Sequence, residues 1–120
     1  LRKVFGGGMR QAGFLAAAGS YALDHHITRL EEDHQAAKNF GQALIENELF
    51  QLTYPVETNM VWFQVKKKAS EVQKKLEEKG LKVLALTDTL LRAVFHLDVS
   101  PAQQKKSCEI IRGLGIVPFV

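Results

Sequence analysis

The chain has 120 residues, with 16 Lys and Arg against 13 Asp and Glu, for a net charge of +3. Apolar residues make up 46% and charged residues 24%, the balance of an ordinary globular domain, which excludes a disordered, collagenous or rod-like chain. A single cysteine rules out an internal disulfide, and no apolar run reaches the roughly 18–20 residues that a membrane span needs.

The chain opens at Leu1, without an initiator Met, on a basic, glycine-rich run over residues 1–8. Gly6, Gly7 and Gly8 give access to backbone angles closed to other residues and let the backbone approach a ligand or another chain closely. Met9 to Leu23 predicts a helix rich in small residues, among them Ala12, Gly13, Ala16, Ala17 and Gly19. Its two glycines each weaken it by about 1 kcal/mol relative to Ala, so tertiary contacts are expected to hold it. Asp24 to Asn47 predicts a second, longer helix. Its apolar stripe is Ile27, Leu30, His34, Ala37, Gly41 and Leu44, with Phe40 beside it. Pro55 and the 53–58 region end the helical part.

Beyond Pro55 the period changes. Asn59–Val65 is rich in β-formers and predicts a strand. Ser70 and Gln73 have the spacing of a capping box ahead of a helix that stops at Gly80. Leu81–Leu86 predicts a short strand, residues 87–89 a turn, and Leu91–Leu97 a third strand. Ser100, Pro101 and Gln103 predict a second capping box and a last helix that ends at Gly113. The expected fold class is α/β: two N-terminal helices followed by a small β-α-β-β-α domain. The expected division lies between residues 1–53 and 54–120.

Two places could carry chemistry. The first is the glycine loop, where Lys3 and Arg10 flank glycines that lead into a helix. Exposed N–H groups and a helix dipole favour an anion there, and a phosphate would be well received. The alternative is a flexible loop with surface charges. The loop is neither a Walker A sequence nor a Gly-x-Gly-x-x-Gly fingerprint. The second is Arg92, inside the apolar run Leu91–Leu97. A charge in such a strand is costly unless paired. Arginine grips a carboxylate through two parallel hydrogen bonds, and the alternatives are an internal salt bridge or an edge residue that snorkels to water.

The other polar residues give weaker signals. His25, His26 and His34 lack a metal-ligand spacing, so no metal is expected. His96 alternates with Arg92 and could share its face. Cys108 reads as a small core residue, and Trp62 and Phe63 as packing residues of the sheet. Seven of the 11 lysines lie between Lys66 and Lys82, interleaved with Glu71, Glu77 and Glu78 and with no aromatic residue. A solvated helix face explains them better than a nucleic-acid platform.

The run Arg2 to Gly13, with Gly6-Gly7-Gly8-Met9-Arg10-Gln11-Ala12-Gly13 at its heart, resembles the threonine aldolases. These are pyridoxal-phosphate enzymes of the aspartate-aminotransferase fold type. The resemblance continues through Leu15–Gly19, Arg29–His34, Glu57–Met60 and Arg92–Ser100, in family order. It implies retro-aldol cleavage of threonine or allo-threonine to glycine and acetaldehyde, with pyridoxal 5'-phosphate as electron sink. It implies that Arg92 holds the substrate carboxylate and that Lys3 and Arg10 lie near the cofactor phosphate. No residue of this chain matches the family's Schiff-base lysine. That lysine, the stacking histidine and the pyridine-partnering aspartate all precede the glycine loop in the family. The chain therefore resembles the C-terminal part of the enzyme, expected to be inactive in isolation, with a non-catalytic remnant or subunit-association module as the alternative. The resemblance implies an amino-acid substrate and a homo-oligomer. Neither nucleic acid nor membrane is an expected partner, and absent targeting signals give a cytoplasmic expectation.

Overall fold

The computed structural model describes residues 4–115. Eight elements follow one another: α1 (Gly13–His25), α2 (Leu30–Ile45), β1 (Phe50–Leu52), β2 (Met60–Val65), α3 (Ala69–Glu78), β3 (Leu84–Ala85), β4 (Leu90–Val94) and α4 (Pro101–Arg112). The chain divides after Leu30 into two compact units.

The first unit holds the glycine loop and α1. The helix begins four residues later than the sequence predicts, because Gln11 takes a left-handed φ of 53° and Arg10 sits in a bend before it. None of the residues of α1 is buried. Phe14, Leu15, Tyr21 and Leu23 are all exposed, and the ring of Tyr21 lies 4.2 Å from that of His25. The expected break before Asp24 falls instead at residues 26–29, where Leu30 N–H donates to the Ile27 carbonyl at 3.2 Å. Ile27 and Thr28, two β-branched residues of low helix propensity, occupy that turn.

The second unit is a four-stranded antiparallel sheet of order β1-β2-β4-β3 with three helices. Strand β1 was not expected from the sequence, where the β-α-β-β-α order starts at β2. Three residues carry too little alternation to stand out from the end of a helix. In place it is anchored by the register Phe50↔Val65 and Leu52↔Phe63. The sequence-based boundary at residue 53 falls inside this unit, because α2 supplies the core of the sheet. The rings of Phe40 and Phe95 lie 5.5 Å apart, and those of Phe40 and Phe63 6.2 Å. Val61, Leu91, Leu76 and Ile111 complete a cluster with no solvent exposure.

Helix α2 lies close against the segment that follows β1. A Cβ placed on Gly41 would sit 2.8 Å from Val56 Cγ2, inside van der Waals contact. Gly41→Ala is expected to destabilise this unit by about 1–3 kcal/mol through overpacking. Urea denaturation followed by circular dichroism measures it, and an unchanged midpoint would contradict the close approach.

The helix ends show which local signals hold. Ser100 and Gln103 form their reciprocal box: Gln103 Oε1 accepts from Ser100 N–H at 2.8 Å, and Ser100 Oγ from Gln103 N–H at 3.4 Å. Gly80 stops α3 with a φ of +85°, and Leu81 N–H returns to the Leu76 carbonyl at 2.9 Å. The box predicted at Ser70 and Gln73 does not form. Helix α3 already begins at Ala69, with Lys68 as its N-cap and no side-chain cap. Gln73 Oε1 instead accepts from Ala85 N–H at 2.8 Å, tying the short β3 to the helix.

Three hydrogen bonds join the residues just after α2 to the C-terminal end of α4 and the turn beyond it. Asn47 Nδ2 donates to the carbonyls of Ile111 (2.7 Å) and Leu114 (3.0 Å). Arg112 Nε donates to Glu46 Oε2 at 2.5 Å, and that hydrogen bond holds the Glu46 carboxyl below its ordinary range. The stability this pair contributes is present above the ordinary carboxylate pKa and is lost as pH falls through the lowered one.

Candidate functional site

Arg92 stands in β4, an interior strand with neighbours on both sides. Alternation sets its direction: Leu91 and Ala93 are buried in the core, while Leu90, Arg92 and Val94 belong to the opposite face. On that outer face Arg92 lies opposite Trp62 of β2 and Leu84 of β3. Met60 pairs with Val94 on the same face. Met60, Leu84 and Val94 are 39%, 47% and 41% exposed. The sheet therefore presents an apolar, partly open surface with one guanidinium set into it.

That guanidinium lacks the counter-charge that an interior salt bridge would give. Among the described residues no carboxylate pairs with Arg92, and its Nε is buried without a hydrogen-bond partner. Its Cζ lies 5.6 Å from the centroid of the Trp62 ring. An orphaned buried donor costs about 1–3 kcal/mol, so a protein that keeps one is holding it for a ligand or spending stability on it. Among the described residues Arg92 has no carboxylate partner, and its strand is not an edge. Arg92→Met is accordingly expected to stabilise the chain by about 1 kcal/mol, since a flexible apolar side chain suits this face and carries no orphan. A lowered melting temperature would contradict the orphan's cost.

The remaining candidates are placed as follows. Arg10 is exposed in the bend before α1, in an open groove lined by Met9, Arg10, Gln11, Gly13, Phe14 and Ala17. Helix α1 has neither a side-chain cap nor an acidic residue in its first turn, so its N-terminal N–H groups meet no negative side chain there. Lys3 lies outside the described residues. His96 follows the end of β4 and accepts from Asp98 N–H at 3.3 Å, and its side chain is 55% exposed. Among the described residues no group of three or more His, Cys, Asp or Glu could hold a metal. Cys108 is buried in the core. Both Trp62 and Phe63 pack in the sheet, on opposite faces: Phe63 is in the core, and Trp62 stands half-buried on the outer face. The alternation Val61-Trp62-Phe63 contains that information, since the register that buries Val61 and Phe63 turns Trp62 to the face of Arg92.

The sequence resemblance and the geometry meet in the comparisons with known proteins. The family model for beta-eliminating lyases matches residues 1–68. The chain belongs to the beta-eliminating lyase family. A low specificity L-threonine aldolase of Escherichia coli K12 is 41% identical over 104 residues, which cover 85% of this chain and 30% of that protein. A probable low-specificity L-threonine aldolase of Arabidopsis thaliana is 36% identical over 105 residues, 83% of this chain and 30% of the relative. The chain thus spans about 30% of the length of the curated relatives it matches. Among solved structures, the cystine C–S lyase C-DES, in complex with its reaction product cysteine persulfide, superposes with a TM-score of 0.65. It is 18% identical over 87% of this chain and 29% of the lyase. A mutant of C-DES with glycine covalently linked to its pyridoxal-phosphate cofactor gives the same TM-score of 0.65. The fold of this beta-eliminating lyase chain is a part of the aspartate-aminotransferase-like fold. Among the described residues no helix is long and apolar enough to cross a membrane.

Proposed function

We propose that this chain is the C-terminal portion of a pyridoxal-phosphate-dependent aldolase that cleaves threonine or allo-threonine to glycine and acetaldehyde. The observation that carries the reading is Arg92, whose buried Nε has no partner in an otherwise well-packed sheet. A guanidinium with its donors unspent takes a planar carboxylate, and every amino-acid substrate brings one.

In this reading Arg92 binds and orients the carboxylate from the outer face of the sheet. The neighbours Leu84, Met60 and Val94 are apolar, so their side chains offer no strong competing acceptor. Arg10, with no carboxylate paired to it among the described residues, fits a phosphate at the glycine loop, and Lys3 would add a second charge. Pyridoxal phosphate, when bound, supplies the electron sink for the pair left on Cα as the Cα–Cβ bond breaks. None of the chain's residues takes the role of the covalent lysine. Anchoring the cofactor belongs to the rest of the longer protein in this proposal.

The test is direct. The longer protein that carries this segment, loaded with cofactor, is expected to release glycine and acetaldehyde from allo-threonine. Release of pyruvate from cysteine or serine, with none of either aldolase product, would replace the aldol reading by an elimination reading.

A second role is favoured by a different observation. Helix α1 buries none of its residues, although it carries Phe14, Leu15, Tyr21 and Leu23. Such a surface suits association, and a homo-oligomer is the proposed state. Sedimentation of the pure chain as a monomer at all concentrations would contradict it.

A further inference from the structure

We propose that Trp62 is a positioning residue, holding the guanidinium of Arg92 in place for a carboxylate; this rests on the carboxylate reading of Arg92 given above. A tryptophan on this sheet has an obvious place to go, which is inward. Val61 and Phe63 on either side of it are fully buried, yet Trp62 stands on the other face, half-buried. There it lies directly across from Arg92 in the β2–β4 register, with the guanidinium carbon 5.6 Å from its ring centroid.

The chemistry of the contact explains why a ring and not a carboxylate occupies this position. An acidic neighbour would fix Arg92 more strongly, but it would occupy the fork of N–H donors that binds a planar anion. A ring attracts the cation through its quadrupole and leaves that fork unspent. The orphaned Nε is the counterpart of this choice. On the other flank Leu84 offers only an aliphatic surface, so the indole is the one aromatic surface paired with Arg92 across the strands.

Trp62 is itself held. Tyr54 packs edge-on against it, with ring centroids 6.4 Å apart and planes at 79°. Its carbonyl accepts from Thr53 N–H at 2.9 Å. Tyr54 is 60% exposed, so its contact with Trp62 contributes little to the core. The three side chains form a row across the outer face, Tyr54 on Trp62 on Arg92, with the ligand-binding group at its end.

The experiment uses the full chain, labelled with nitrogen-15, and follows the Arg92 Nε–H resonance. Sodium acetate is titrated against sodium chloride at matched ionic strength. In the unmodified chain the Arg92 resonance is expected to shift saturably with acetate and not with chloride. Trp62→Leu is expected to remove the ring-current shift of that resonance and to weaken acetate binding about fivefold. Trp62→Phe, which keeps a ring face, restores most of it. Unchanged acetate affinity in Trp62→Leu, with Arg92 still responding, overturns the role of Trp62 and leaves the carboxylate reading standing. No acetate response at Arg92 in the unmodified chain overturns the carboxylate reading itself, and this proposal with it. Should Trp62→Leu lose the fold, Tyr54→Ala decides. That exposed substitution is expected to weaken acetate binding about twofold by loosening the indole, and an unchanged affinity there overturns the proposal.

Discussion

Arg92→Lys, in the longer protein that carries this segment, is expected to lower kcat/KM for allo-threonine by about 100-fold, or about 2.7 kcal/mol. Lysine keeps the charge but not the geometry. Its ammonium is a compact, strongly hydrated point charge, and it cannot offer two parallel donors to a carboxylate. It is also shorter, so burying its stem beside Trp62 and Leu84 draws the charge toward an apolar surface. Most of the loss should appear as a raised KM, because the carboxylate is gripped before and during bond cleavage alike. A smaller fall in kcat follows from the looser orientation of the substrate. Steady-state assays of acetaldehyde release measure both. A variant with wild-type kcat/KM would remove Arg92 from the substrate site.

Phe63→Ala is expected to destabilise the sheet unit by about 3–5 kcal/mol. Phe63 has no solvent exposure. Its ring meets Phe40 of α2 at 6.2 Å and Phe50 of β1 at 5.6 Å, so one truncation leaves a cavity against both a helix and an edge strand. A typical domain is stable by only about 5–15 kcal/mol, and the variant should sit near the edge of folding. Guanidinium denaturation followed by the fluorescence of Trp62, the only tryptophan, reports the loss. A cost below about 1 kcal/mol would mean that the three rings do not form the centre of the core.

Local signals survived into the structure where no distant partner competed for their residues. The Ser100–Gln103 box and the Gly80 stop are properties of a few adjacent residues, so the sequence displays them whole. The Ser70–Gln73 box has the same spacing, but Gln73 is taken by Ala85 twelve residues away. Strand β1 exists because β2 pairs with it, and three residues show no period of their own. Arg92 was legible as a cost, a charge set in an apolar run. That no carboxylate among the described residues pairs with it was not legible, because that depends on every neighbour in the fold. Trp62 was legible as a packing residue of the sheet, and the alternation with Val61 and Phe63 sets its face, but its place opposite Arg92 depends on the register with β4, which the sequence does not display. Asn47 was missed: its bonds reach Ile111 and Leu114, far along the chain.

The claim that organises the site is that Arg92 recognises a carboxylate, and discrimination against a ligand without one tests it most directly. The measurement compares the affinities of glycine and methylamine for the cofactor-loaded longer protein, in the wild type and in Arg92→Gln. If Arg92 grips the carboxylate, the wild type prefers glycine by at least about 100-fold, the equivalent of roughly 2.7 kcal/mol, and the variant loses most of that preference. If the preference for glycine is the same in both proteins, the carboxylate is held elsewhere and the assignment of Arg92 is wrong.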